Sequence, residues 1–404
     1  MSKIRIWPVG ILAFLVWSYY ARPIFDWSYI ALGRGRDKIV TRVSPAVGIP
    51  YDDVIGLNTK LVTEMEDYLE KYRQSSANSP LLAKVDYSTV EKYAETVEPL
   101  RDALKRSLNY PPSNAIQGTD FSAVREVKLS EDSLATYSLL TIPSVGTVET
   151  GVVNAVGVLI VPKIHSSPMP IIIAAHGRGG PPASAADGTV TILQRNNRDL
   201  ARGAVERGWA VFEPTFLFYG TDYPENIRDI LTLRAQEAGT SLVAIEFTKT
   251  IRSIDYLLSR PEFDSTRLAM VGMSYGGFNT LYTAALDSRI RVAVVAAYFN
   301  ERSSVLRNSE PTGFLDWRFS GSTSLFSDPQ IAALICPRPL QIQFGTQDQL
   351  FPLQGARDSM PAAKNYYRKL GVDDQFQYHE FVGRHDFDGA AAWTFIERMF
   401  AGNQ

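Results

Sequence analysis

The sequence predicts an α/β fold, a mostly parallel sheet flanked by helices, over residues 120–404. Three observations predict it. From about residue 155, short apolar runs rich in β-branched residues alternate with stretches of helical periodicity, the pattern of repeated strand–helix–strand units. At 272–278 the stretch "GMSYGGF" places a serine between glycines, where an apolar run gives way to a helical one. Two later apolar runs each lead into a loop, the first carrying an aspartate and the second a histidine. The chain of 404 residues is 45% hydrophobic and 21% charged, which is enough apolar mass for a large core.

The amino terminus is a separate matter. Lys3 and Arg5 precede the uncharged run "IWPVGILAFLVWSYYA", which Arg22 ends. Basic residues followed by an apolar run are the order of a secretory signal or signal-anchor. Tyr19 and Tyr20 stand where a cleavage site would need small residues, so residues 1–22 are expected to remain as a membrane anchor, with the catalytic portion on the exported side; a cleaved signal peptide and a buried helix of a cytosolic protein are the competing readings. Residues 23–119 read as a linker and a helical extension. "DDVIGLNTKLVTEMEDYLEKYRQ" and "STVEKYAETVEPLRDALKRSLN" space apolar residues by three and four, and "NYPPSN" stops the second helix. Packing against the main domain is their expected role.

From residue 120 onward, "AVREVKLSEDSLATYSLLTIP" alternates as half-buried antiparallel strands do, and "AVGVLIVPK" and "MPIIIAA" read as buried strands. Then "DLARGAVERG" is helical, "WAVFEPTF" a strand, "AIEFTKTIRSIDYLLSR" helical, "RLAMVG" a strand, "FNTLYTAALD" helical and "RVAVVAAYF" a strand. A polar and aromatic excursion over 299–331 reads as a lid or pocket wall. The strand "RPLQIQFG", the helix "AAKNYYRKLG", the strand "QFQYHEFVG" and the helix "GAAAWTFIERMF" close the chain.

Net charge is −2, so no basic excess points to nucleic acid. One cysteine and four histidines without ligand spacing predict no metal centre. The chemistry therefore rests on Ser274. A tight strand-to-helix turn strains the serine backbone, and glycines at 272 and 276 give neighbouring chain room to approach. A serine hydroxyl needs a base to take its proton, and the base needs an acid to orient it. Asp348 in "FGTQDQLFP" and His385 in "EFVGRHDFD" follow strand ends in the order serine, acid, histidine. Rivals are His379, which lies inside an alternating run, and Asp316, Asp328 and Asp358, none directly after a strand. The oxyanion of an acyl-transfer intermediate needs donors, and the expected ones are the N–H groups of Tyr275 and Arg178. The Arg178 side chain is expected to face solvent. His176 is expected to shape its loop, and His165 to lie at the surface. Asn300, Arg302 and Trp317 are candidate substrate contacts, with a structural turn at "FNERSS" as the competing reading.

The motifs "HGRGG", "GMSYGGF", "GTQDQLFP" and "GRHDF" resemble those of α/β-hydrolases over about residues 120–400. Within that superfamily the chain resembles the dienelactone hydrolase and acetyl xylan esterase-like group and, more distantly, the prolyl oligopeptidase catalytic domain. The closer likeness lies in "SRPEFDSTRLAMVGMSYGGFNTLYTAALDSRI" and "ICPRPLQIQFGTQD". The resemblance implies an eight-stranded sheet, a triad of Ser274, Asp348 and His385, a small-molecule ester as substrate and no cofactor. Dienelactone hydrolase proper has cysteine as its nucleophile, so serine at 274 points to an ordinary esterase. A serine peptidase and a non-catalytic binding protein on the same scaffold are the competing functions. A peptidase of that type would need a β-propeller gate, for which the largely helical residues before 120 leave no room.

Overall fold

The computed structural model describes residues 51–77, 82–178, 200–217, 227–302, 305–306 and 315–402. The expected anchor at 1–22 lies outside the described residues, and no described helix is long and apolar enough to cross a membrane. The chain divides into two compact units, Met1–Lys71 and Tyr72–Gln404. Helix α1 (Tyr51–Ala77) begins in the first, where Leu57, Leu61 and Met65 are exposed.

The second unit is built on nine strands: β1 (Arg125–Glu131), β2 (Ala135–Thr147), β3 (Gly151–Pro162), β4 (Met169–Ala175), β5 (Ala210–Pro214), β6 (Phe263–Met273), β7 (Val292–Ala296), β8 (Leu340–Gly345) and β9 (Phe376–Phe381). Their order across the sheet is β1-β2-β3-β5-β4-β6-β7-β8-β9. The first three strands and β5 pair antiparallel, and every pairing from β5 through β9 is parallel. The eight strands that the resemblance implies become nine because β1, exposed along most of its length and bulged between Lys128 and Ser130, adds an edge. Strands β4, β7 and β8 are buried at every residue, as strands covered on both faces must be.

Two apolar layers do the covering. On one face lie α2 (Val90–Leu108), α5 (Leu242–Leu258), α6 (Tyr275–Leu286), α7 (Asp328–Ile335) and α8 (Leu353–Lys369). On the other lie α3 (Arg202–Val205) and α9 (Gly389–Ala401). Helix α4 (Ile227–Glu237), which the sequence reading did not separate from its surroundings, precedes α5.

The expected boundary at residue 119 does not separate compact units. Helix α2 belongs to the unit that holds the sheet. Thr89 caps its start by accepting the Lys92 N–H at 3.1 Å, and Asn109 ends it in a left-handed conformation at φ 52°. Between these ends, Tyr93, Val97, Leu100, Leu104 and Leu108 recur at helical spacing and are at most 1% exposed within the main core. The Tyr93 hydroxyl donates to the Ala333 carbonyl at 2.6 Å, and the Arg101 guanidinium donates to the carbonyls of Ala285 and Leu334. Leu104→Ala therefore lowers the unfolding free energy of the whole unit by about 2–5 kcal/mol in urea titration. A loss under about 0.5 kcal/mol would mean that α2 is not part of the core.

Candidate active site

Strand β6 runs into helix α6 with one residue between them, Ser274. Its backbone sits at φ 59° and ψ −119°, a conformation that costs an ordinary residue about 1–3 kcal/mol. Two backbone bonds hold it there: Ser274 N–H donates to the Ala296 carbonyl at 2.9 Å, and Phe278 N–H donates to the Ser274 carbonyl at 3.0 Å. The glycines are sterically required. A Cβ on Gly272 would run into the Gly276 carbonyl, and one on Gly276 would run into the Ala175 carbonyl. The turn after β4 lies beside the serine, for a Cβ on Gly177 would stand in van der Waals contact with Ser274 Cβ, at 3.6 Å. Ser274 makes no side-chain cap to its own helix, so its hydroxyl stays available above the positive end of α6.

Asp348 and His385 meet in the loops after β8 and β9. His385 Nδ1 donates to Asp348 Oδ2 at 2.8 Å, and the Asp348 side chain is fully buried. The other carboxylate oxygen accepts the N–H groups of Leu350 at 2.8 Å and Phe351 at 3.2 Å. With the proton on Nδ1, Nε2 carries the lone pair. Nε2 is buried without a hydrogen-bond partner, and no bond joins it to Ser274 Oγ. The two loops are clamped together, since Thr346 N–H donates to the Phe381 carbonyl and Gln347 N–H to the Gly383 carbonyl, each at 2.8 Å. The His385 ring stacks on Phe351 at 5.6 Å, Phe351 on Trp317 at 6.0 Å, and Trp317 on Tyr275 at 6.2 Å. An aromatic wall thus runs from the imidazole to the residue after Ser274.

The rival residues have other partners. His379 Nε2 contacts Asp388 Oδ2 at 2.8 Å. Asp316 accepts from Arg178 and Arg228, Asp328 accepts from Asn300 N–H, and Asp358 accepts from Gln354. His165 is exposed, as expected. The candidate substrate contacts face the protein instead. Asn300, Arg302 and Trp317 are 1%, 3% and 1% exposed. Asn300 Nδ2 donates to the Pro352 carbonyl at 2.7 Å, and Arg302 donates to the Tyr298 hydroxyl and the Trp317 carbonyl. Their polarity serves the wall behind Phe351, which is the structural reading of "FNERSS". The Arg178 side chain is also turned inward, onto Asp316. Phe351 and Arg228 had no signal in the sequence, and Asp316 entered it only as a rival acid, because each acts through partners far away in the chain.

His176 shapes the turn after β4. Its Nε2 accepts Phe216 N–H at 3.0 Å, so the proton sits on Nδ1, which donates to the Gly177 carbonyl at 2.7 Å. Burial pushes this imidazole down to about 4 from its ordinary 6.5, against the hydrogen bond to Gly177. A base with a depressed folded-state value binds fewer protons when folded, so its contribution is intact above pH 6.5 and is lost as pH falls toward 4. Wild type therefore loses up to about 3 kcal/mol of unfolding free energy from this group across that window. His176→Gln, which does not titrate, flattens the slope in urea titrations from pH 7 to pH 4, and an unchanged slope would remove His176 as its source.

The chain is similar to known proteins in sequence and in fold. Over 130 residues the chain is 29% identical to YtaP of Bacillus subtilis, covering 32% of this chain and 43% of that protein. Over 149 residues it is 28% identical to YfhR of Salmonella typhi, an uncharacterized protein, covering 34% and 49%. The matched stretch thus spans less than half of either relative. Among solved structures, a glucuronoyl esterase from Solibacter usitatus superposes with TM-score 0.55 at 18% identity, over 78% of this chain and 94% of that one. A glucuronoyl esterase from Teredinibacter turnerae superposes with TM-score 0.56 at 16% identity, over 80% and 90%. These likenesses give the fold, that of an α/β-hydrolase. The sequence model of the dienelactone hydrolase family matches residues 185–390, half of the chain and the part that contains Ser274, Asp348 and His385, and the chain belongs to that family.

Proposed function

We propose that the protein hydrolyses carboxylic esters through an acyl-enzyme on Ser274, with His385 as base and Asp348 as its orienting acid. One observation carries the reading. His385 is held on the Nδ1–H tautomer by a buried carboxylate, and its second nitrogen is left without a partner. That is how a general base is kept ready. The loose Ser274–His385 geometry fits a site without substrate, where such bonds tighten on binding.

The steps follow from the groups present. Nε2 of His385 takes the Ser274 proton as Oγ attacks the ester carbonyl. The carbonyl oxygen becomes an oxyanion next to the start of α6, where the Tyr275 N–H has no carbonyl partner within its own helix. The Arg178 N–H, on the turn pressed against Ser274, is the second donor. The imidazolium, stabilised by Asp348, returns its proton to the leaving alkoxide. Water then repeats the sequence and frees the acid. Family membership supports ester hydrolysis, and the carbohydrate esterases among the fold neighbours support acyl or uronoyl esters of sugars as the substrate class.

A fluorophosphonate labels Ser274 in wild type, and peptide mass spectrometry reads the site. Ser274→Ala lowers kcat on an aryl acetate by at least about 10⁴-fold with unchanged thermal unfolding, and adding His385→Ala costs little more. Acetylated sugars and aryl esters turn over faster than prolyl or aminoacyl anilides. Retained turnover in Ser274→Ala, or faster cleavage of the anilides, overturns the proposal.

A further inference from the structure

We infer that Asp316 is a positioning residue: one buried carboxylate that holds the oxyanion turn in place through the Arg178 side chain. The inference rests on the esterase reading and deepens it. Asp316 lies in a short 3-10 turn, Leu315–Trp317, within the excursion that follows β7. Its side chain is fully buried. Oδ1 accepts from Arg178, on the turn after β4, and Oδ2 accepts from Arg228, in the first turn of α4, at 2.6 Å. Arg228 also donates to the Leu217 carbonyl, beyond the end of β5. Three segments from separate parts of the chain therefore converge on one carboxylate.

The two guanidiniums are not there to attract an anion. Arg178, Arg228 and Lys249 stand near Asp316, Asp229 and Glu246, so the local charges balance. Their placement is mechanical. The Arg178 guanidinium lies over the Trp317 ring at 5.0 Å and the Tyr275 ring at 5.6 Å, and that of Arg228 lies over the Tyr275 ring at 4.4 Å. Tyr275 supplies one proposed oxyanion donor and Arg178 the other. Asp316 thus fixes the side chains of the two residues whose backbone N–H groups face the oxyanion. A buried ion pair is a costly way to gain stability, and its best-attested use is to specify one arrangement. Here the arrangement is the distance between two donors, and a misplacement of about 1 Å at such a site costs about 10²-fold in rate.

Asp316→Asn tests this directly, but it leaves two buried guanidiniums without a counter-charge and can unfold the protein. Arg178→Gln is the second variant. Its side chain is 13% exposed and its backbone N–H is retained. In Arg178→Gln, kcat on an aryl acetate falls by about 10- to 100-fold while KM stays within about threefold. Ki for a trifluoromethyl ketone, which forms the same oxyanion, rises by the factor that kcat/KM falls, and circular dichroism and thermal unfolding stay close to wild type. The fluorophosphonate inactivation rate falls in parallel. Where Asp316→Asn folds, the double variant is no slower than the worse single, because both remove one linkage. A folded Arg178→Gln with wild-type kcat and wild-type ketone affinity overturns the inference and leaves the esterase reading standing. Wild-type protein that neither turns over esters nor is labelled at Ser274 overturns both.

Discussion

The backbone of a single residue constrains the rest of the site. Ser274 occupies φ 59° at the junction of β6 and α6, and only close backbone packing keeps it there. That packing demands glycines at 272 and 276, draws the turn after β4 against the nucleophile, and ties the junction to the end of β7. The strain is local, whereas the restraint is distributed over three adjacent strands. This explains why a loop-like position can be held as rigidly as a core one.

Around this junction the protein buries charged side chains in two groups. Arg302, Tyr298 and Asp328 form one buried group under Phe351, and Arg178, Asp316 and Arg228 form another beside Tyr275. Burial pushes the Asp328 carboxyl up to about 6, even with the Arg302 cation nearby. The polar excursion after β7 supplies Arg302, Asp316 and Trp317, and its described part acts as bracing. Arg302 donates to the Trp317 carbonyl and lies over the Phe278 ring, and Asp316 accepts from Arg178 and Arg228.

How much of this was legible in the sequence follows from the range of the interactions. The strands and helices of the sheet rest on local periodicity, and Ser274, Asp348 and His385 each follow a strand within a few residues, so their positions could be read. Asn109 as the end of α2 was legible for the same reason, through "NYPPSN". Helix α4 was missed because polar neighbours mask a short periodic run, and helix α7 because, buried at all but one of its residues, it shows no amphipathic period. Asn300, Arg302 and Trp317 were misplaced because residue type records polarity but not direction: a guanidinium that reaches substrate and one that reaches a carbonyl have the same letter. The strand beyond the eight that the resemblance implies is β1, an exposed edge inside "AVREVKLSEDSLATYSLLTIP", where the alternation already reads as strand.

That edge has a consequence for wear. Strand β6, which carries the nucleophile, is sixth of nine in the sheet, with at least three strands on either side. Amide groups at the margins open to solvent first, and those in the middle open only with the whole molecule. The bulged, charged β1, with Arg125, Glu126, Lys128 and Glu131 along it, is poorly suited to recruit another chain's strand. Fraying is thus spent at a margin built to tolerate it, and the reactive hydroxyl is among the last parts of the sheet to feel it.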